Sequence, residues 1–204
     1  MTIRENSIID KEAKQFSDKL TELLQDESDR GILLIGVSIF DDMLHKLLFE
    51  YMNINKNRKK EIEKLFEWPG PLSNYASKVK LAYCLGLIPK EMYMDLESIR
   101  DIRNKSAHQL VKMNFGEEKI YKIITNLNGG KKSNEEKRKT NISTSNNKTI
   151  STLLTDEQKK ENGKKMFIMT ICYWAGILSL CTHLHMYNKP ELELLLSNVM
   201  NKEW

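Results

Sequence analysis

The sequence predicts an all-α fold, a single-domain helical bundle of 204 residues. Apolar residues recur at helical spacing along most of the chain, whereas no segment shows the strong period-two alternation of a half-buried strand. The length suits one sizeable core and is short for two. We therefore expect residues 1–127 to form an N-terminal bundle portion that carries the sequence motifs, residues 128–165 a flexible insertion, and residues 166–204 C-terminal helices that complete the same bundle.

Two helices are predicted in the first part of the chain. Asp10 is a suitable N-cap for the first, and the second runs from about residue 29 to residue 51 with its large apolar side chains on one side. Gly36 lies in the middle of this second helix, where glycine costs up to about 1 kcal/mol relative to alanine. We expect another helix to approach closely at that position.

Helix ends are clearly marked in the middle of the chain. The stretch WPGP ends a short charged helix, because two prolines around a glycine cannot continue the helical hydrogen bonds. Ser73 can cap a helix that runs through Leu85, and Gly86 suits the left-handed position that follows it. Pro89 suits the first turn of the next helix, which is predicted over residues 89–110.

The net charge of +4 is distributed unevenly. Residues 128–165 contain ten Lys and Arg against five Asp and Glu, whereas the rest of the chain has 22 against 23. The segment is also rich in Gly, Asn, Ser and Thr and poor in large apolar residues, which predicts a flexible insertion. It is either a solvated loop or a lysine-rich tether for an acidic partner or nucleic acid. The remainder of the chain is not basic.

The most apolar stretch, residues 166–182, has about the minimum length of a bilayer span but lacks a strong apolar margin. A helix that is apolar on all sides can equally be the central helix of a bundle, and we expect that role here. The first residues, MTIRENSIIDKEAKQF, contain no apolar run that could serve as a secretory signal. We therefore expect a cytoplasmic protein that does not associate with a membrane.

No metal or cofactor is expected. The three cysteines show no paired spacing and predict neither a disulfide framework nor a zinc site. In the stretch CTHLH, neighbours two apart on a helix point roughly 200° from each other, so Cys181, His183 and His185 cannot converge on one ion. Asp41 and His45 have a metal-like spacing of four residues, but no third ligand accompanies them.

An arginine stands on the apolar face of the helix predicted over residues 89–110. At about 100° per residue, Arg103 falls within the arc formed by the apolar and small residues Met92, Leu96, Ile99, Ser106, Ala107 and Leu110. We therefore expect its guanidinium to face the core, where an unpaired charge is costly. The structural interpretation is an ion pair with one carboxylate, with His108 capping the helix end, and the candidate carboxylates are Glu27, Asp29, Asp41 and Asp42.

A resemblance to a known family covers roughly residues 20–115. The stretches ESDRG, GVSIFDDMLHKLL and LFEWPGPLSNYASKVKLAYCLGLIPKEMYMDLESIRDIRNKSAH follow one another. Together they resemble the mannitol operon repressor family, with its GPL, KxKLAYxLGLI and IRxxRN..AH pattern. This resemblance implies an all-helical fold and a role in regulating a sugar-alcohol operon, without a helix-turn-helix motif of the usual kind.

The stretch RNKSAH, residues 103–108, also resembles the signature of the HEPN superfamily. Many HEPN proteins are metal-independent ribonucleases of toxin and phage-defence systems, and they work as dimers whose two motifs line one cleft. The resemblance implies that Arg103 stabilises charge on the phosphorane, that His108 moves a proton, and that Asn104 orients both. His108 lies about 140° around the helix from Arg103, so the two need a bend, long side-chain reach or a second subunit to meet.

Three functional hypotheses follow. The first is a regulator that resembles the mannitol repressor. It acts through contacts with proteins, or through contacts with DNA that do not use a helix-turn-helix motif. The second is a HEPN-type ribonuclease, a toxin or phage-defence effector with Arg103 and His108 at a dimer cleft. The third is a HEPN-like scaffold in which the motif is structural. We expect the protein to form a homodimer. We also expect it to bind another molecule, either a protein or a nucleic acid (RNA or DNA).

Overall fold

The computed structural model describes residues 15–53, 58–107, 113–140 and 154–187. Every regular element in these ranges is a helix, which confirms the predicted all-α bundle. Asp10, the predicted first N-cap, lies outside them. The helices are α1 (residues 15–25), α2 (Asp29–Met52), α3 (Lys59–Phe66), α4 (Tyr75–Cys84), α5 (Lys90–Ala107), α6 (Glu118–Asn126), α7 (Asn128–Thr140) and α8 (Asp156–Tyr187).

Helices α2 and α8 make the most extensive contact among the described helices α2 to α8. At Gly36 of α2, a β-carbon would lie 2.6 Å from the Cδ1 atom of Ile171 of α8. Glycine therefore allows the two helices to approach without displacing that isoleucine. The close approach that Gly36 predicted is confirmed.

Helix α8 is the core helix that its apolar sequence predicted. The fully buried side chains of this helix include Phe167, Ile171, Trp174 and Leu178, and the helix packs on α2, α6 and α7. Within the described part of the chain, it is the one helix long and apolar enough to cross a membrane. However, 61% of its apolar window is buried inside the bundle. That burial is what a central bundle helix requires.

The C-terminal end of α4 has the cap that its sequence predicts. Gly86 adopts a φ of 68°, in the left-handed region that glycine enters without steric cost. The Gly86 N–H donates to the Tyr83 carbonyl at 3.0 Å, and the Leu87 N–H donates to the Ala82 carbonyl at 2.9 Å. These two hydrogen bonds form a Schellman motif, which turns the chain toward α5.

The expectation that residues 128–165 form one flexible insertion is wrong at both ends of the segment. Helix α7 begins at Asn128 and α8 begins at Asp156, so both ends are helical. Gly129 and Gly130 are buried against α8, where added β-carbons would lie 2.6 Å from the Trp174 Nε1 atom and 3.0 Å from the Thr170 Oγ1 atom, respectively. The glycines that suggested a loop instead let α7 lie close to α8. Residues 141–153 lie outside the described ranges.

Candidate functional site

A groove opens between α5, α2 and the start of α4, and we call it the α5 groove. Its volume is about 520 Å³. Helix α4 starts at the groove because the Asn74 side chain accepts a hydrogen bond of 2.9 Å from the Ser77 N–H. The N-cap is thus one residue after the predicted Ser73. The lining residues are Leu34, Val37, Ser38, Asp41, Asn74, Tyr75, Ala76, Arg100, Arg103 and Asn104.

Arg103 lies at the edge of the α5 groove and is exposed, so the prediction that it faces the core is wrong. The physical reason is that the space between α5 and α2 is open at this level, whereas the same side of α5 is packed elsewhere. The guanidinium Nη1 of Arg103 donates to the Asn104 Oδ1 at 3.3 Å. The buried residues of α5 are Met92, Asp95, Leu96, Ile99, Ile102 and Ser106.

None of the four candidate carboxylates forms an ion pair with Arg103, so that prediction is also wrong. Asp41 pairs with the Nζ of Lys78 at 2.8 Å. Asp29 is buried and accepts a hydrogen bond of 2.7 Å from the Phe115 N–H, which holds the turn before α6 against the start of α2. The remaining two candidates, Glu27 and Asp42, are exposed.

Asp41, which lines the groove, forms an ion pair with Lys78 of α4. Lys78 is buried and Asp41 is partly exposed, so Asp41 supplies the negative charge that a buried ammonium requires. Burial and the nearby Asp41 charge raise the pKa of Tyr75, which keeps its phenol neutral. Burial and the Lys78 charge lower the pKa of His45, although Asp41 and Asp42 oppose this shift.

Arg100 is the second guanidinium of the groove, and its charge is largely balanced. Its Nη2 lies 3.0 Å from the Glu97 Oε2 and 3.7 Å from the Asp101 Oδ1. The Nε atom of Arg100 is buried and has no hydrogen-bond acceptor. A buried donor without an acceptor is uncommon in native proteins and calls for an explanation.

The structure describes two of the three candidate catalytic residues of the RNKSAH motif. Arg103 and Asn104 lie side by side at the groove. His108 lies outside the described residues, so its position relative to Arg103 stays a prediction. The described part of the motif therefore places the Arg103 guanidinium and the Asn104 amide at an open surface. Among the described residues of the motif, none that could transfer a proton lies beside them.

Asp95 is a buried residue that the sequence reasoning missed. Its Oδ1 accepts from the Asn128 backbone N–H at 3.0 Å and from the Asn128 Nδ2 at 2.9 Å. Its Oδ2 accepts from the Gly129 N–H at 2.9 Å and from the Trp174 Nε1 at 2.7 Å. This carboxylate therefore caps α7 from another helix. Its position three residues after the buried Met92 was the signal that could have revealed it.

A second and larger cavity lies between α1, α7 and α8, with a volume of about 670 Å³. Its wall includes Ile168, Met169 and Tyr173, with Lys164 and Lys165 also on the lining. None of the predicted site residues that the structure describes lines it. The α5 groove is therefore the better candidate for a functional site, because two residues of the predicted motif border it.

The described helices form an all-helical bundle with the α5 groove on its surface. Among the described residues, no group of three or more His, Cys, Asp and Glu side chains could hold a metal ion. The sequence model of a family described as mannitol repressor matches residues 15–172. The chain belongs to the mannitol repressor family, which confirms the family resemblance of its sequence.

A solved structure shows the same fold. It is described as the X-ray structure of the MtlR–HPr complex from Escherichia coli, and its matching chain superposes with a TM-score of 0.62 at 18% identity. The match covers 81% of the present chain and 99% of that chain. No curated protein sequence matches the chain.

Proposed function

We propose that this protein is a transcriptional regulator of the mannitol repressor kind that acts through contacts with a partner protein. The family match over residues 15–172 carries the proposal. The similar solved structure is a complex of E. coli MtlR with the protein HPr. We take the HPr of the same cell as the first candidate partner.

The distribution of charge supports a protein partner over extended phosphate contacts. Outside residues 128–165 the chain has 22 basic and 23 acidic residues, so this part offers no general attraction to nucleic acid. Within the basic segment, some lysines are already engaged: Lys159 pairs with Glu118 at 3.2 Å, and Lys164 donates to the Glu27 carbonyl at 2.8 Å. Charge-driven DNA binding would therefore have to use the remaining basic residues of this segment or a local basic patch elsewhere.

The ribonuclease alternative has no support from the comparisons, and the groove adds none. A ribonuclease of this kind needs a proton carrier near the cation, and the described residues place only Asn104 beside Arg103. We keep RNA cleavage as an outcome that the experiments can detect.

The oligomeric state and location are part of the same proposal. We propose a homodimer in the cytoplasm, on the basis of the family match. Sedimentation velocity at several concentrations tests the dimer, and a single monomer species at every concentration would contradict it.

A gene deletion tests the regulatory role. Transcripts of the mannitol operon should rise in cells that lack the gene and return to the original level when the gene is restored. In a parallel experiment, the purified protein is incubated with RNA, with and without EDTA, and is compared with the Arg103→Ala and His108→Ala variants. The regulatory role would be contradicted if transcript levels did not change and if the protein cleaved RNA without metal. Loss of that cleavage in both variants would show that the protein is a ribonuclease.

A further inference from the structure

We propose that the α5 groove binds a small organic anion, a phosphate ester or a carboxylate that also carries hydroxyl groups. Arg103 would bind the anionic group, and the neutral polar side chains of the groove would bind the hydroxyls. This site goes beyond the proposed regulatory role and does not depend on the choice of partner protein.

The balance of charge at and beside the groove points to an anionic ligand. Lys78 is neutralised by Asp41 at 2.8 Å, and Arg100 is neutralised by Glu97 at 3.0 Å. Among the residues that the structure describes, Arg103 hydrogen-bonds to the neutral amide of Asn104, at 3.3 Å, and has no carboxylate partner. Its further N–H donors form a fork that fits a carboxylate or phosphate.

An unsatisfied donor on a second lining residue points independently to a ligand. The Arg100 Nε is buried and lacks an acceptor, although its Nη2 is held by Glu97. Leaving such a donor unpaired costs free energy. An anionic oxygen bound beside Arg103 could also accept from Arg100, since both side chains line the same groove.

The size and lining of the groove suit a small molecule. Its volume of about 520 Å³ lies within the usual range for ligand sites, which is about 300–1,000 Å³. Val37 and Ala76 give it an apolar wall, while Ser38, Asn74 and Asn104 give it neutral hydrogen-bonding groups. A mixed lining of this kind fits a hydroxylated carbon chain with one charged end. A bare inorganic ion would leave the neutral hydrogen-bonding groups without a partner, so it should bind more weakly.

Binding is tested with four probes on the whole chain: glucose 6-phosphate, gluconate, inorganic phosphate and uncharged glucose. Calorimetric titration should show saturable binding of glucose 6-phosphate or gluconate, weaker binding of inorganic phosphate, and no binding of glucose. Arg103→Gln should weaken the binding of the organic anion by about tenfold, since a hydrogen bond to a charged group is worth about that factor.

Two further variants separate a built site from general charge attraction. Lys105→Gln removes an exposed cation from the same helix but outside the groove lining. The affinity of this variant for the organic anion should equal that of the unmodified protein. Ala76→Leu fills the groove and should weaken binding without changing the charge. Circular dichroism confirms that each variant is folded.

Three outcomes would overturn the proposed site. The first is the absence of binding by both organic anions, and the second is equal weakening by Arg103→Gln and Lys105→Gln. The third is binding of only an RNA oligonucleotide, titrated in parallel with the four probes, which would assign the groove to a nucleic acid. Loss of the anion site leaves HPr binding unaffected, and failure of HPr binding leaves the anion titration unaffected, so the two proposals fail separately.

Discussion

The Asp95 carboxylate and the Trp174 indole meet inside the bundle, where the Nε1 atom donates to Oδ2 at 2.7 Å and both side chains are buried. The same carboxylate accepts from the N–H groups of Asn128 and Gly129. One side chain of α5 therefore fixes the start of α7 and the middle of α8. Its charge needs these donors, because a buried carboxylate without them would be strongly unfavourable.

We expect Asp95→Ala to lower the free energy of unfolding by about 3–5 kcal/mol, because it leaves several buried donors unpaired. Trp174→Phe should cost less, about 1–3 kcal/mol, because Asp95 keeps its contacts with α7. Urea denaturation followed by circular dichroism measures both values. Asp42→Ala is the control at an exposed carboxylate and should change stability by less than about 0.5 kcal/mol. A small effect of Asp95→Ala would show that the cap is not needed.

The contact between Gly36 and Ile171 can be tested with a double-mutant cycle. Gly36→Ala should destabilise by about 1 kcal/mol, since overpacking at 2.6 Å from the Ile171 Cδ1 outweighs the gain in helix propensity. Ile171→Val removes that methyl group, so Gly36→Ala in the Ile171→Val background should become neutral or stabilising. Equal effects in the two backgrounds would mean that the methyl group does not oppose the alanine.

Local signals and tertiary context explain which parts of the fold could be predicted from sequence. Gly36 and Gly86 were predictable because each position has a local requirement, a close approach in one case and a left-handed cap in the other. Helix α7 was not predictable from its own residues, because its cap, Asp95, comes from 33 residues earlier. The exposure of Arg103 was missed for a similar reason, because periodicity gives the direction of a side chain but does not show that a groove lies there.

Stability should fall at acidic pH in part through His45. Its pKa is lowered from the ordinary value of 6.5 by burial and by Lys78, so the unfolded chain binds more protons than the folded chain just below pH 6.5. The contribution of neutral His45 to the free energy of unfolding is intact above pH 6.5. It is lost as the pH falls from 6.5 through the lowered pKa of His45 in the folded state. Urea denaturation at pH 7.5 and pH 5 should therefore show a smaller loss of stability for His45→Gln. An equal loss in both proteins would contradict this.

Arg103 should be dispensable for folding. Because its side chain is exposed and is not in an ion pair with any of the four candidate carboxylates, Arg103→Gln should change the free energy of unfolding by less than about 0.5 kcal/mol. Asp41→Asn provides the contrast: it leaves the buried Lys78 ammonium without its partner and should cost about 2 kcal/mol, less than a fully buried pair because Asp41 is partly exposed. Both are measured by urea denaturation. Strong destabilisation by Arg103→Gln would instead support the structural interpretation, in which Arg103 forms an ion pair that holds the fold together.

The central claim, that this member of the mannitol repressor family acts through a partner protein, is tested most directly by isothermal titration calorimetry with purified HPr from the same cell. Saturable binding at a fixed stoichiometry, retained in 0.15 M salt, is the expected result. An absence of binding at concentrations where the protein remains folded would contradict the claim that HPr is its partner.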